Sequence, residues 1–176
     1  TVIALDIGGK DVRDALAAAA SGQQPAPYLQ NALASLANSV AELYAHGARR
    51  FLILNVPNLA RAPSVRMIDQ QVPGAAVAAG QLTLAFNAGL SGVVAYANGL
   101  DGANARLLDL YGLLEEVVAS PNSYGFDNVT DACVTPAVPP FRCRRPDRYV
   151  FWDGVHPTHA MHVLIAQRAL AVLSAP

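Results

Sequence analysis

Short apolar runs alternate along this chain with longer stretches in which apolar residues recur every three or four positions. Val2 to Ile7 is a short, mostly apolar run that stops at Gly8-Gly9, the pattern of a buried parallel strand. Asp11 to Ala20 then reads as a helix ending at Ser21-Gly22. From Pro27 to His46, Leu29, Leu33, Leu36, Val40 and Leu43 fall on one helical face, with Gly47 as the natural stop. Phe51 to Asn55 predicts a second buried strand, ended by Pro57. Between Pro63 and Pro73 the pattern is irregular, with room for a short helix. Leu82, Phe86, Leu90, Val93, Ala97 and Leu100 then mark a long helix over about 75–98. Asn104 to Leu110 predicts a third strand and Tyr111 to Ala119 a helix stopped by Pro121. Residues 121–152 show no clear period and predict a long loop. A last helix runs from Thr158 to Leu173.

Strands separated by helical crossovers imply a single α/β domain over residues 1–176, with a parallel sheet and helices on both of its faces. In such sheets ligands bind at the carboxyl ends of the strands. Gly8-Gly9-Lys10-Asp11, Asn55-Val56-Pro57 and the segment leading to Asp153 and His156 all fall at those ends. A loop as long as 121–152 inside a compact domain usually has a function.

Composition narrows the classes. Of 176 residues, 53% are hydrophobic and 14% charged, which is a folding composition rather than a disordered one. A net charge of −1 gives no reason to expect nucleic acid as a partner. Arg142, Arg144, Arg145 and Arg148 cluster, and read as a solvated loop. The stretch from Gln70 to Leu100 has no charge and is long enough to raise a membrane span, but Pro73, Gly74, Gly80, Gly89 and Gly92 interrupt it. A helix packed on a sheet accounts for it better. The first residues, Thr1-Val2-Ile3-Ala4, have no basic segment ahead of them, so they are not expected to be a signal peptide. Cys133 and Cys143 are either two thiols or a disulfide. The bridge, worth about 2–3 kcal/mol by loop closure, suits an oxidising compartment. Zinc is not expected, because no second pair of Cys or His stands at ligand spacing around them.

Asp153-Gly154-Val155-His156 carries the chemistry. A histidine acting as a base needs one ring nitrogen facing the nucleophile and the other held by an acceptor. An Asp three residues earlier, on a turn at Gly154, can be that acceptor. Pro157 and Thr158 then open a helix, with Thr158 as N-cap. Asp11 is expected to cap the helix after the first strand. His156, His159 and His162 step by three, but no further carboxylate lies near them, so no metal is expected. Gly8-Gly9 lacks the later residues of a phosphate loop.

Phe151-Trp-Asp-Gly-Val-His-Pro-Thr158 resembles the last block of the GDSL/SGNH esterase and lipase family. Ile7-Gly-Gly-Lys-Asp11 resembles the family's Gly-x-Asn-Asp block. Phe51 to Pro57 resembles its next strand, and Pro121 to Phe126 with Cys133 and Cys143 resembles the approach to the Asp-His pair. The resemblance implies a flavodoxin-like three-layer α/β/α fold and hydrolysis of carboxylic esters by a Ser-His-Asp triad without a cofactor. It assigns the acid and base to Asp153 and His156, and the oxyanion region to Gly9 and Lys10.

Two departures shape the expectation. The family's Gly-Asp-Ser-Leu nucleophile block is absent. Ser21, Ser35, Ser39, Ser64, Ser91, Ser120, Ser123 and Ser174 all stand in other contexts. On the family pattern Val2–Ile7 is the third strand, so the fold is expected to lack its first strands, with two strand–helix units of about 60 residues upstream. This chain is then the C-terminal portion of the hydrolase domain and inactive alone. Its partners are an ester or lipid substrate and a missing N-terminal segment or second chain bearing the nucleophile. The bare first-strand edge is expected to be covered, by that segment or in a homodimer. Secretion, or a periplasmic or cell-surface location, is expected. Second, Lys10 replaces the Asn that donates to the oxyanion, a loss typically worth about 10²–10³ in rate. The competing expectation is an inactive, truncated binding or structural module.

Overall fold

The three apolar runs become β1 (Ile3–Asp6), β2 (Arg50–Leu54) and β3 (Asn104–Leu108), which pair in parallel in that order. Ile3 lies beside Phe51 and Phe51 beside Ala105; Leu54 lies beside Asp6 and Leu108. This computed structural model describes residues 1–135, 138–139 and 141–175.

Side chains alternate between the two faces of a strand, and each face meets its own helices. Ile3, Leu5, Phe51, Ile53 and Ala105 pack under α1 (Gly9–Ala20), α2 (Ala26–Ala45) and α4 (Ala75–Asn98), among Val12, Leu36, Val40, Phe86 and Leu90. On the other face Leu52, Leu54 and Leu108 pack under α5 (Leu110–Ala119) and α6 (His159–Ser174), through Leu113, Leu114, Val117 and Met161. The result is a three-layer α/β/α fold of the flavodoxin-like type. The second face is unevenly covered. α5 and α6 lie over β2 and β3, while Ala4 and Asp6 of β1 stay exposed. Among the described residues no strand pairs with the outer edge of β1.

α4 is long and apolar enough, by length and composition, to cross a membrane. Here Ala79, Thr83, Phe86, Leu90, Val93 and Ala97 form a buried stripe at three- and four-residue spacing, and Thr83 returns its hydroxyl to Ala79 O. That is a core helix satisfying its own polar group. At the exit of β1, Gly8 has φ 116°, a backbone conformation that favours glycine, and a Cβ there would stand 2.3 Å from Phe86.

The structure corrects three expectations. The third strand ends at Leu108 rather than Leu110, because Asp109 caps α5 by accepting from Gly112 N. Asp11 does not cap α1. Gly8 holds that position in a left-handed conformation, and Asp11 lies in the first turn. The 121–152 segment is not all loop: β4 (Asn128–Ala132) and β5 (Tyr149–Phe151) pair in parallel as a second small sheet. Strands of five and three residues are too short to show a period. α3 (Pro63–Gln71) fills the irregular stretch.

Candidate active site

The turn after β5 is closed by its own backbone. Trp152 N donates to His156 O at 2.8 Å, and Thr158 N to Val150 O at 2.9 Å, so the chain doubles back on β5. Thr158 fixes the return. Its hydroxyl donates to Tyr149 O at 2.6 Å and accepts from Met161 N, capping α6 as expected. Inside this closure Asp153 Oδ1 accepts from Val155 N at 2.9 Å and His156 N at 2.8 Å. That leaves Oδ2 for the His156 ring, 2.8 Å from Nδ1. The Asp153 side chain is 25% exposed and that of His156 72%.

Burial alone would raise the Asp153 pKa. The backbone N–H groups of His156 and Val155, with the His156 ring, outweigh it and hold the carboxyl below its ordinary value. The carboxylate therefore stays charged through neutral pH. A charged acceptor on Nδ1 keeps the proton there and leaves Nε2 as the basic nitrogen.

Lys10 lies in the first turn of α1, exposed, and its ammonium pairs with Asp14 one turn on. It makes no hydrogen bond to His156 among the described residues. Gly9 begins the same helix and is also exposed. No serine Oγ hydrogen-bonds to His156 among the described residues. Phe151 is buried, whereas Trp152 beside Asp153 is exposed. Cys133 and Cys143 are disulfide-bonded, with Cα atoms 5.3 Å apart. Cys133 N and Val134 N donate to Phe151 O and Trp152 O, so the bridge anchors the strand beside the Asp153 turn.

Three further groups brace these strand ends; the sequence placed Asn55 there without its bonds and did not mark the other two. Asn55, buried at the end of β2, accepts from Leu110 N and Tyr111 N and donates to Asp109, tying β2 to the start of α5. Asn58 and Arg61 both donate to Glu115. The guanidinium holds the Glu115 carboxyl below its ordinary value, burial opposes this, and Asn58 adds to it. Ser64 N, at the start of α3, donates to Gly154 O at 3.0 Å. Asn55 carried a faint signal, as a polar residue just after an apolar strand; the Ser64 bond carried none.

Parallel β1–β3 between two helical layers, with an Asp–His pair in the turn ahead of the last helix, is the architecture of the SGNH hydrolases. A model of the GDSL-like lipase/acylhydrolase family matches residues 1–169, and the chain belongs to that family. It is similar to a GDSL esterase/lipase of Arabidopsis thaliana, 31% identical over an alignment of 160 residues that covers 84% of this chain and 41% of that protein. A second from the same plant is 27% identical over 158 residues, 82% of this chain and 43% of its own. The GDSL esterase/lipase LIP-4 of Arabidopsis thaliana is 25% identical over 187 residues, 96% and 50%. The chain thus spans half or less of the length of these curated relatives.

Proposed function

We propose that this chain is the C-terminal portion of a carboxylic-ester hydrolase domain and supplies the acid–base half of its active site. The observation that carries the reading is the 2.8 Å contact between Asp153 Oδ2 and His156 Nδ1, with the other carboxylate oxygen tied down by two backbone amides. In the reaction a serine Oγ attacks the ester carbonyl as its proton passes to His156 Nε2. Asp153 holds the ring and supports the imidazolium. The proton then goes to the leaving alkoxide, which departs as the alcohol. A water, deprotonated by the same nitrogen, cleaves the acyl-serine and releases the acid.

The serine comes from an upstream segment of a longer polypeptide, or from a second chain, paired against the outer edge of β1. Support comes from that unpaired edge, from exposed Ala4 and Asp6, and from the share of its relatives that this chain spans. A homodimer through the same edge would also cover it, without supplying the serine. The substrate is an ester or lipid of small size, and the disulfide suits an oxidising compartment, hence secretion or the cell surface. One observation favours a weakened or inactive module. Lys10, which stands where the resemblance puts the oxyanion donor, is engaged by Asp14.

The test pairs an ester with a serine-reactive probe. The 176-residue chain alone is expected to take no fluorophosphonate label and to leave p-nitrophenyl butyrate unhydrolysed. A polypeptide that also carries a Gly-Asp-Ser segment is expected to do both, with His156→Ala losing about 10³-fold or more. Lys10→Asn in that polypeptide is expected to raise kcat by about 10-fold or more. Turnover by this chain alone, abolished by His156→Ala, would place the nucleophile within residues 1–176 and sink the reading.

A further inference from the structure

An open groove of about 460 Å³ lies between α3 and β4, with Gly154 in its lining. We propose that it holds the acyl chain of the ester substrate. The inference rests on the hydrolase reading of Asp153 and His156 and adds where the substrate lies.

The walls suit a hydrocarbon chain. Pro63 and Met67 of α3 and Ala132 of β4 give it an apolar lining, while Arg66 and Asp131 add one charge of each sign at its border. Met67 is 57% exposed, a large apolar side chain open to the groove and to solvent. An unbranched thioether adapts its shape to a flexible chain better than a branched residue does. The volume falls within the range of about 300–1,000 Å³ usual for small-molecule sites.

The position suits a chain that runs up to the reacting ester. Gly154 is two residues from His156, so their Cα atoms lie within about 7.6 Å. The His156 ring does not line the groove, so the reacting atoms lie beside it and the groove takes a chain that extends away from them. The lining at Gly154 is also fixed in place. Ser64 N holds Gly154 O at 3.0 Å, and a Cβ on Gly154 would come within 3.1 Å of Ser64 Cβ, so the two backbones approach as closely as glycine allows.

The chain has two methionines, which makes the test compact. Met67 lines the groove and Met161 is buried in the core under α6. With methyl-¹³C methionine in the full chain, sodium octanoate is the probe and sodium butanoate its short control. Octanoate is expected to shift the Met67 methyl resonance and leave Met161 in place. It is expected to bind at least about tenfold tighter than butanoate, since each buried methylene is worth up to about fourfold. Ala132→Trp fills the groove and is expected to abolish the shift, with an unmoved Met161 signal reporting an intact fold. If Ala132→Trp disturbs Met161, Gln70→Trp on the exposed side of α3 makes the same block. Equal binding of butanoate and octanoate would mean that Arg66, which borders the groove, reads the carboxylate, and would overturn the proposal. So would a silent Met67, or a shift that survives the block. Binding is read without turnover, so a failed ester assay and a failed groove give separate results.

Discussion

Asp153→Asn separates the chemistry of the turn from its stability. Asp153 accepts two backbone N–H bonds on Oδ1, at 2.9 and 2.8 Å, and faces His156 Nδ1 with Oδ2 at 2.8 Å. Asparagine keeps the first oxygen and so keeps both backbone bonds. Its amide nitrogen replaces Oδ2 and presents N–H to Nδ1. Two donors cannot share that contact, so the ring proton moves to Nε2, the atom that must accept the proton of the serine. Loss of the correct tautomer costs on the order of 10⁴ in kcat, or about 5.5 kcal/mol of transition-state stabilisation. The cost to folding is far smaller. The turn is partly open to solvent, and a charged acceptor there adds about 1 kcal/mol or less after screening. The expected result is therefore a collapse of p-nitrophenyl butyrate turnover in the nucleophile-bearing polypeptide with almost no change in Tm. The ring nitrogens of His156, followed by ¹⁵N NMR in this chain, should exchange their protonated and unprotonated signatures. If the variant keeps more than a tenth of its kcat, or if Nδ1 stays protonated, the carboxylate does not set the tautomer and the argument is refuted.

Other perturbations reach the scaffold. Gly8→Ala combines a φ of 116° with a Cβ only 2.3 Å from the Phe86 ring and 2.9 Å from Val56; we expect a loss of about 2–5 kcal/mol by urea denaturation, and a loss under 0.5 would contradict the packing described. Reducing Cys133–Cys143 should cost about 2–3 kcal/mol and speed hydrogen exchange at Cys133 and Val134, whose N–H groups bond β5 and the Asp153 turn. Unchanged exchange there would uncouple the bridge from the site. The Asp153 carboxyl is lowered in the folded chain, so its stabilisation is complete above the unfolded value of about 4 and disappears as pH falls through the folded value. Asp153→Asn should therefore lose less stability than the parent between neutral pH and about pH 3, and parallel curves would count against it.

The legible parts of this molecule are those that bury one face over many residues. Phe51-Leu-Ile-Leu, the leucines of α2 and the Phe86–Leu90–Val93–Ala97 stripe of α4 each repeat a period, and each lies where that period puts it. Thr158 was legible because a cap needs only a local side chain. β4 was not: Asn128-Val-Thr-Asp-Ala132 has little apolar content, and its pairing with β5 joins segments about twenty residues apart. The Asp153–His156 contact could be read from a spacing of three, because the turn is local. Its bracing by Ser64 crosses about half of the chain through two backbone atoms, which leave no trace in residue identity. Lys10 is assigned to the oxyanion region by resemblance alone; its pairing with Asp14 was not legible, because the helix expected to begin at Asp11 in fact begins at Gly9, which puts the two side chains one turn apart.

The hairpin-like return over residues 149–158 is closed by local contacts. Trp152 N to His156 O, Thr158 N to Val150 O and the Thr158 hydroxyl to Tyr149 O are all made within that one short segment. Closing so short a loop costs little chain entropy, and it requires nothing from the edge of β1. The Asp153–His156 contact is likewise made within this segment, between residues three apart. On the proposed reading, a serine brought to the site would meet a base already oriented, and the binding energy of that encounter would be left for alignment of the attacking oxygen.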